Sequence, residues 1–347
     1  MKKILVLISV LLLIIVVAES LFIFANIDKL FPQVVSPQPV PKPLLSYTFQ
    51  NLKKTKFPMT DITFGKIVSQ NQDSVQRAFY YETPEKPNSK VMLKVSGLAN
   101  IPKASGNYPV IVMFRGFIPQ DAYQPGADTQ PSALELVKAG YITLAPDFLG
   151  FGESASGSAD AFENRFQTYT TALSLLSSLP TLNKGLNSIY SGSVTANLQK
   201  IGIWGHSNGG HIALSVLAIS GVTYPTVLWA PVSTSFPYSI LYYTDESDDQ
   251  GKALRKILAG FEKIYNTDLF SPSNYYNWIK APVEVDQGLS DQEVPFWWSD
   301  NLVTTLKKEG LSVTYITYPN ADHNMLPSGW SQAVANTISF YNNEFSK

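Results

Sequence analysis

Apolar residues fall in two regimes along this chain. From Ile4 to Ala18, and again from Leu21 to Ala25, they run almost unbroken behind Lys2 and Lys3, with Glu19 and Ser20 between the two runs. A basic head followed by an apolar body is the pattern of an export signal, and Val16-Val17-Ala18 resembles a small-residue cleavage site. Taken together, Ile4–Ala25 is also just long enough to cross a bilayer, with Lys2 and Lys3 left on the cytoplasmic side. Either way the remainder is expected outside the cytoplasm. Residues 1–26 are therefore expected to be a signal peptide or N-terminal membrane anchor. Residues 27–43, with Pro32, Pro37, Pro39, Pro41 and Pro43, are expected to be a stiff linker.

Beyond about residue 44 the pattern shortens. Ile62–Val68, Gln76–Glu82 and Lys90–Leu98 follow one another across turn-like links and predict antiparallel strands at one edge of a sheet. Strand-like runs at Val110–Phe114, Ile142–Ala145, Ile201–Trp204, Thr226–Ala230, Val283–Val285 and Val313–Tyr318 then alternate with helical periods. Those helices are expected around 132–138, 161–179, 209–219, 298–308 and 331–342. Alternation of this kind predicts an α/β domain over 44–347, with a mostly parallel sheet of about eight strands and helices on both faces. The aromatic-rich excursion 234–280 reads as a helical lid.

One turn carries chemistry. Ile201-Gly202-Ile203-Trp204 runs into Gly205-His206-Ser207-Asn208-Gly209 with a helical pattern directly after, which is G-x-S-x-G in its strand–turn–helix setting. A serine there needs a base, and a carboxylate to hold that base. The chain has three histidines. His206 and His211 adjoin the turn and are expected to be structural, so His323, in the loop after the last strand, is the expected base. Asp291, in the loop after Val283–Val285, is the expected carboxylate, with Asp286 the main rival and Asp322 and Glu293 weaker ones. The backbone N–H groups of Asn208 and Phe117 are expected to form the oxyanion hole, and Tyr242 and Tyr243 of the lid to touch substrate.

With these residues in view, the chain resembles an α/β-hydrolase, and its C-terminal half resembles the catalytic domain of prolyl oligopeptidase and dipeptidyl-peptidase relatives. The similar stretches are Ser271–Asn274, Ile279–Pro282, Gly288–Pro295, Tyr318-Pro319 and Asp322-His323, along with Asp147–Ser154 as the D-x-x-G-x-G-x-S turn. The resemblance implies a serine hydrolase that cleaves peptide or ester bonds through an acyl-enzyme, a prolyl oligopeptidase-like serine peptidase, which the N-terminal segment would export. The chain departs from the relatives at Arg115 and Gln287, where histidine is usual, and no substrate-screening propeller is expected within these 347 residues. A carboxylesterase on the same triad is the alternative. A surface-anchored binding protein on a hydrolase scaffold is the alternative of another class.

Composition narrows the field further. Lys+Arg 26 against Asp+Glu 27 gives a net charge of −1, which disfavours a nucleic-acid binder. With Cys 0 there is no disulfide, thiolate metal site or cysteine nucleophile. The expected chemistry calls for no metal or cofactor, and the expected partners are a small-molecule or peptide substrate and, through the N-terminal segment, a membrane. The acidic run Asp245–Asp249 reads as a solvated loop, with attraction of a cationic amine as its functional alternative.

Overall fold

The computed structural model describes residues 1–30, 41–244 and 248–347. Pro32, Pro37 and Pro39 of the expected linker, and Asp245, Glu246 and Ser247 of the acidic run, lie outside the described residues. Two units are separable, Met1–Lys42 and Pro43–Lys347.

In the first unit Lys2–Ala25 is one α-helix of 24 residues with no buried side chain. At 1.5 Å per residue it is long enough for the roughly 30 Å hydrocarbon core of a bilayer. Its mean hydropathy reaches 3.0 over an 18-residue window, and it is the one helix among the described residues that meets both requirements.

The second unit is built on nine strands, against the expected count of about eight: β1 (Thr63–Gln70), β2 (Ser74–Pro84), β3 (Met92–Pro102), β4 (Gly106–Phe114), β5 (Ile142–Pro146), β6 (Val194–His206), β7 (Thr226–Trp229), β8 (Val283–Gly288) and β9 (Val313–Tyr318). Their order is β1-β2-β3-β5-β4-β6-β7-β8-β9. The first three form the antiparallel edge, β3 joins β5 antiparallel, and every pairing from β5 through β9 is parallel.

Strand β4 shows why the sheet takes helices on both faces. Val110, Val112 and Phe114 enter one core, shared with the helices Ala161–Ser178 and Asn208–Ser220. Ile111 and Met113 enter the other, shared with the helices Gln130–Lys138 and Trp330–Glu344. An unbroken apolar run can be buried on both sides only where each face is covered, and that is the condition of a central parallel strand.

Several elements go beyond the sequence pattern. Strand β6 starts at Val194, seven residues before the apolar run that announced it, because Val194 and Ala196 turn into the core while Gln199 and Lys200 do not. A helix at Leu182–Tyr190 follows the Pro180 turn, and short helical turns at Pro43–Tyr47 and Phe49–Lys54 bury Tyr47, Phe49 and Leu52 against the domain. The excursion after β7 contains the helix Lys252–Glu262 and 3-10 turns at Thr267–Phe270 and Pro272–Trp278.

Candidate active site

Parallel strands all end at one edge of the sheet, and the loops leaving that edge converge. Those loops follow β4, β6, β7, β8 and β9, and the candidate residues sit on them.

Ser207 occupies the turn between β6 and the helix Asn208–Ser220 with φ 55° and ψ −121°, a conformation that L residues rarely adopt. Glycines make the turn possible. A Cβ at Gly209 would overlap the Phe114 carbonyl oxygen, and one at Gly205 would lie 2.6 Å from the Gly209 oxygen. The Ser207 N–H donates to Trp229 O (2.9 Å) and its carbonyl accepts from Val232 N–H (3.0 Å), so β7 and the segment behind it hold the strained residue in place. The side chain is left half-buried on the open side.

His323 is buried, and its Nδ1 lies 2.9 Å from Asp291 Oδ2. The Asp291 side chain is fully covered and saturated with donors. Oδ1 accepts from the N–H groups of Glu293 (2.9 Å) and Val294 (2.8 Å), and Oδ2 accepts from Gln287 Nε2 (3.0 Å) as well as from the imidazole. An acceptor-only carboxylate at Nδ1 fixes the tautomer: Nδ1 carries the proton and Nε2 is left with a lone pair. That Nε2 lies 3.7 Å from Glu293 Oε2, which is largely exposed. Among the described residues Ser207 Oγ makes no hydrogen bond, so a Ser207–His323 contact is not closed, whereas the His323–Asp291 contact is. Gaps of this kind in unliganded hydrolases commonly tighten when substrate binds.

The rival carboxylates are placed otherwise. Asp286 is fully buried under the sheet edge and bonds to Tyr318 Oη. Asp322 Oδ1 accepts from the N–H groups of Asn324 and Leu326 (2.8 Å each) and closes its own loop.

The two expected oxyanion donors differ in setting. Asn208 N–H belongs to the first residue of its helix, so it has no intrahelical acceptor, and it lies at the positive end of the helix dipole. Phe117 lies in an irregular stretch of the loop after β4, its side chain is 79% exposed, and its N–H meets no acceptor among the described residues. The neighbouring Gly116 is pressed against the serine: a Cβ there would be 3.1 Å from Ser207 Cβ. Its N–H is committed to Asp128 Oδ2 at 2.6 Å.

Tyr242 and Tyr243 are half-buried and pack with Val232, Val294 and Trp298; the Tyr242 and Trp298 rings meet edge-on at 4.9 Å. Val232 and Val294 are the residues whose N–H groups brace Ser207 and Asp291, so this aromatic cluster backs the site directly.

The reading of the sequence did not reach Asp128. It sits in the left-handed region (φ 71°) in the loop before Gln130–Lys138, with Oδ1 2.6 Å from His206 Nδ1. Burial pushes its carboxyl up, but the His206 charge and the bonds from His206 and Gly116 outweigh burial and hold it below the usual range. His206 moves the opposite way: burial lowers it, and Asp128 raises it above the ordinary histidine value. His211 is an internal contrast. Its Nδ1 donates to Val232 O (3.2 Å) and its Nε2 accepts from Tyr169 Oη (2.9 Å), and burial drives it down to about 3, so it is a neutral packing residue.

Arg115, the departure before Gly116, is also buried. Its guanidinium lies 4.2 Å from the Phe151 ring centre and 4.8 Å from that of Tyr123, and it donates to Gly116 O (2.9 Å) and Asp147 O (3.3 Å). It shapes the loop from beneath. Arg115 is the one Lys or Arg across residues 115–129, 289–295 and 319–329, which together hold Asp121, Asp128, Asp291, Glu293 and Asp322. A cavity of about 380 Å³, lined by Asp128, Ser132, Trp204, His206, Trp229 and Trp330, lies beside the His206 ring. Among the described residues no cluster of acids and histidines is arranged to hold a metal.

Comparison with known proteins agrees with this architecture. Residues 182–347 match the model of the prolyl oligopeptidase family, and residues 74–225 match that of chlorophyllase. No curated protein matches the chain in sequence. Among solved structures, acetyl xylan esterase 1 from Thermoanaerobacterium sp. JW/SL YS485 superposes with a TM-score of 0.53 at 17% identity, covering 87% of this chain and 95% of that one. Acetyl xylan esterase from Paenibacillus sp. R4 gives 0.52 at 16%, covering 88% and 96%. Dipeptidyl peptidase 4 from Porphyromonas gingivalis gives 0.52 at 15%, covering 78% of this chain and 36% of that protein. With its nine-stranded sheet the chain has the α/β-hydrolase fold, and it is similar over 182–347 to the prolyl oligopeptidase family and over 74–225 to chlorophyllase.

Proposed function

We propose that this protein is an exported serine hydrolase acting on carboxylic esters through an acyl-enzyme. Ser207 attacks the carbonyl, His323 Nε2 takes its proton and returns it to the leaving group, and Asp291 holds the imidazole and stabilises its charged form. The N–H groups of Asn208 and Phe117 receive the oxyanion, and Tyr242 and Tyr243 wall the acyl or alcohol group. Water then attacks the acyl-enzyme by the same proton route in reverse.

The observation that carries this reading is the saturated Asp291 carboxylate at His323 Nδ1, on loops from the same sheet edge as the strained Ser207. The acetyl xylan esterases, which this chain spans almost completely, favour esters over amides. A second reading, cleavage of short peptides, is favoured by the prolyl oligopeptidase match over 182–347, the segment that holds all three catalytic candidates.

Residues 1–26 act as a signal or anchor, 27–43 as the tether, and 234–280 as the lid over the site. The full chain, extracted in detergent, should turn over short-chain aryl esters faster than aminoacyl anilides; the reverse preference would favour the peptidase reading. Ser207→Ala should abolish both turnover and fluorophosphonate labelling with the fold intact. Undiminished labelling in that variant would remove Ser207 from the role. Retention of the full chain in the membrane pellet through a carbonate wash would identify an uncleaved anchor.

A further inference from the structure

Three loops meet at the candidate site, and one ion pair ties them together. Asp128 Oδ2 accepts from Gly116 N–H (2.6 Å) in the loop that carries Phe117. Asp128 Oδ1 faces His206 Nδ1 (2.6 Å), next to the serine. His206 Nε2 faces the backbone oxygen of His323 (3.0 Å). Both ring nitrogens of His206 therefore point at oxygens that only accept, in contrast to His211, which has one donor and one acceptor partner. With Asp128 ionised, both bonds exist only if the ring carries two protons. The His206 ring also lies against that of His323, tilted by 37° with centres 4.6 Å apart. The charged or titratable groups around it are Asp128 from the loop after β4, Asp291 from the loop after β8 and His323 from the loop after β9.

We infer that the Asp128–His206 pair is a positioning device for hydrolysis, an imidazolium strut that sets the Phe117 loop and the His323 loop at fixed distances from the Ser207 turn. Neither residue touches substrate. Removing Asp128 frees the Gly116 N–H, leaves His206 a neutral ring that can keep one proton only, and lets both loops drift. Displacements of about 1 Å near reacting atoms are costly in rate. The strut is separable from its charge. An asparagine at 128 can accept from Gly116 through its oxygen and donate through its nitrogen to the Nδ1 of a neutral His206, whose Nε2–H still reaches the His323 oxygen.

The inference rests on the reading of Ser207 and His323 above, and the test keeps the two apart. In the full-length detergent-extracted protein, Asp128→Ala is expected to lower kcat about 10- to 100-fold with KM changed less than about threefold, while Asp128→Asn keeps kcat within about fivefold of the parent. Histidine-selective ¹⁵N spectra, simple with three histidines, should show both His206 nitrogens protonated at pH 7 in the parent and one in Asp128→Asn. Parent-like kcat in Asp128→Ala, or equal damage in Asp128→Ala and Asp128→Asn, would overturn the strut. Should Asp128→Ala fail to fold, His206→Gln replaces it. Its amide can donate to Asp128 only by turning its oxygen toward the His323 carbonyl, so it cannot bridge both acceptors and should be slow where Asp128→Asn is fast; equal rates in those two would overturn the strut as well. Activity surviving in Ser207→Ala would instead sink the nucleophile assignment, whatever the Asp128 variants do.

Discussion

At the scale of single residues, the candidate site depends on backbone that only certain side chains permit. Ser207 is held off the normal regions of backbone space, and its turn closes only because position 209 carries no Cβ to strike the Phe114 carbonyl. Gly209→Ala must push strand and helix apart, so it should destabilise the domain by about 1–3 kcal/mol, read as a lower thermal midpoint, and should slow fluorophosphonate labelling disproportionately. A midpoint equal to the parent's would mean that the turn yields more easily than this geometry allows. These residues were legible in the sequence because glycine, serine and glycine at fixed spacing behind a β-branched strand leave few alternatives. Asp128 was not legible. Its partners Gly116 and His206 are 12 and 78 residues away, and nothing local marks an aspartate in an irregular loop as the group that joins them.

At the scale of elements, β8 carries a feature that the hydrolase chemistry does not use. Glu284 and Asp286 alternate with Val283 and Val285, so both acids point to the same face, and both are buried with one oxygen each unpartnered. Burial pushes the Glu284 carboxyl up to about 7; burial and the neighbouring Glu284 push Asp286 up as well. A carboxyl raised in the folded state binds its proton more tightly there than in the unfolded chain. Its stabilising contribution is complete below the ordinary carboxylate range and is lost as pH climbs through the folded value. For Glu284 the window runs from about 4.5 to about 7. The thermal midpoint should fall between pH 5 and pH 8, and Glu284→Gln should flatten that slope; an unchanged slope would show that Glu284 is not the group responsible. Asp128 works with the opposite sign, its contribution disappearing only as pH drops below the ordinary aspartate value.

The element scale also shows where a pattern reading runs out. The apolar parts of strands β4 to β8 were visible because central parallel strands are buried on both faces, whereas β9, at the sheet edge and only partly buried, was visible from its β-branched and aromatic residues. The first half of β6, Val194 to Lys200, was not, because it pairs with the polar start of β4 and alternates too weakly to stand out. The helical turns at Pro43–Tyr47 and Phe49–Lys54 are too short to show a period, although they bury Tyr47 and Phe49 completely.

At the scale of the whole molecule, the sheet edge that carries the candidate site is uneven in charge. Its loops after β4, β8 and β9 hold five acidic residues and the single, buried Arg115, while the chain overall is nearly neutral at −1. Asp128 is paired with His206 and Asp291 is hydrogen-bonded to His323, while Glu293 stands open beside His323. A field of this sign acts on substrates before they arrive. Carboxylate-bearing esters must approach uphill and ammonium-bearing ones are drawn in, so added salt should raise kcat/KM for the first and lower it for the second, converging as the Debye length falls below about 10 Å. Parallel salt responses for the two would mean that the rim exerts no such influence. Through this asymmetry the enzyme would sort its encounters by ionic strength, favouring cationic esters in dilute surroundings and becoming indifferent in brine.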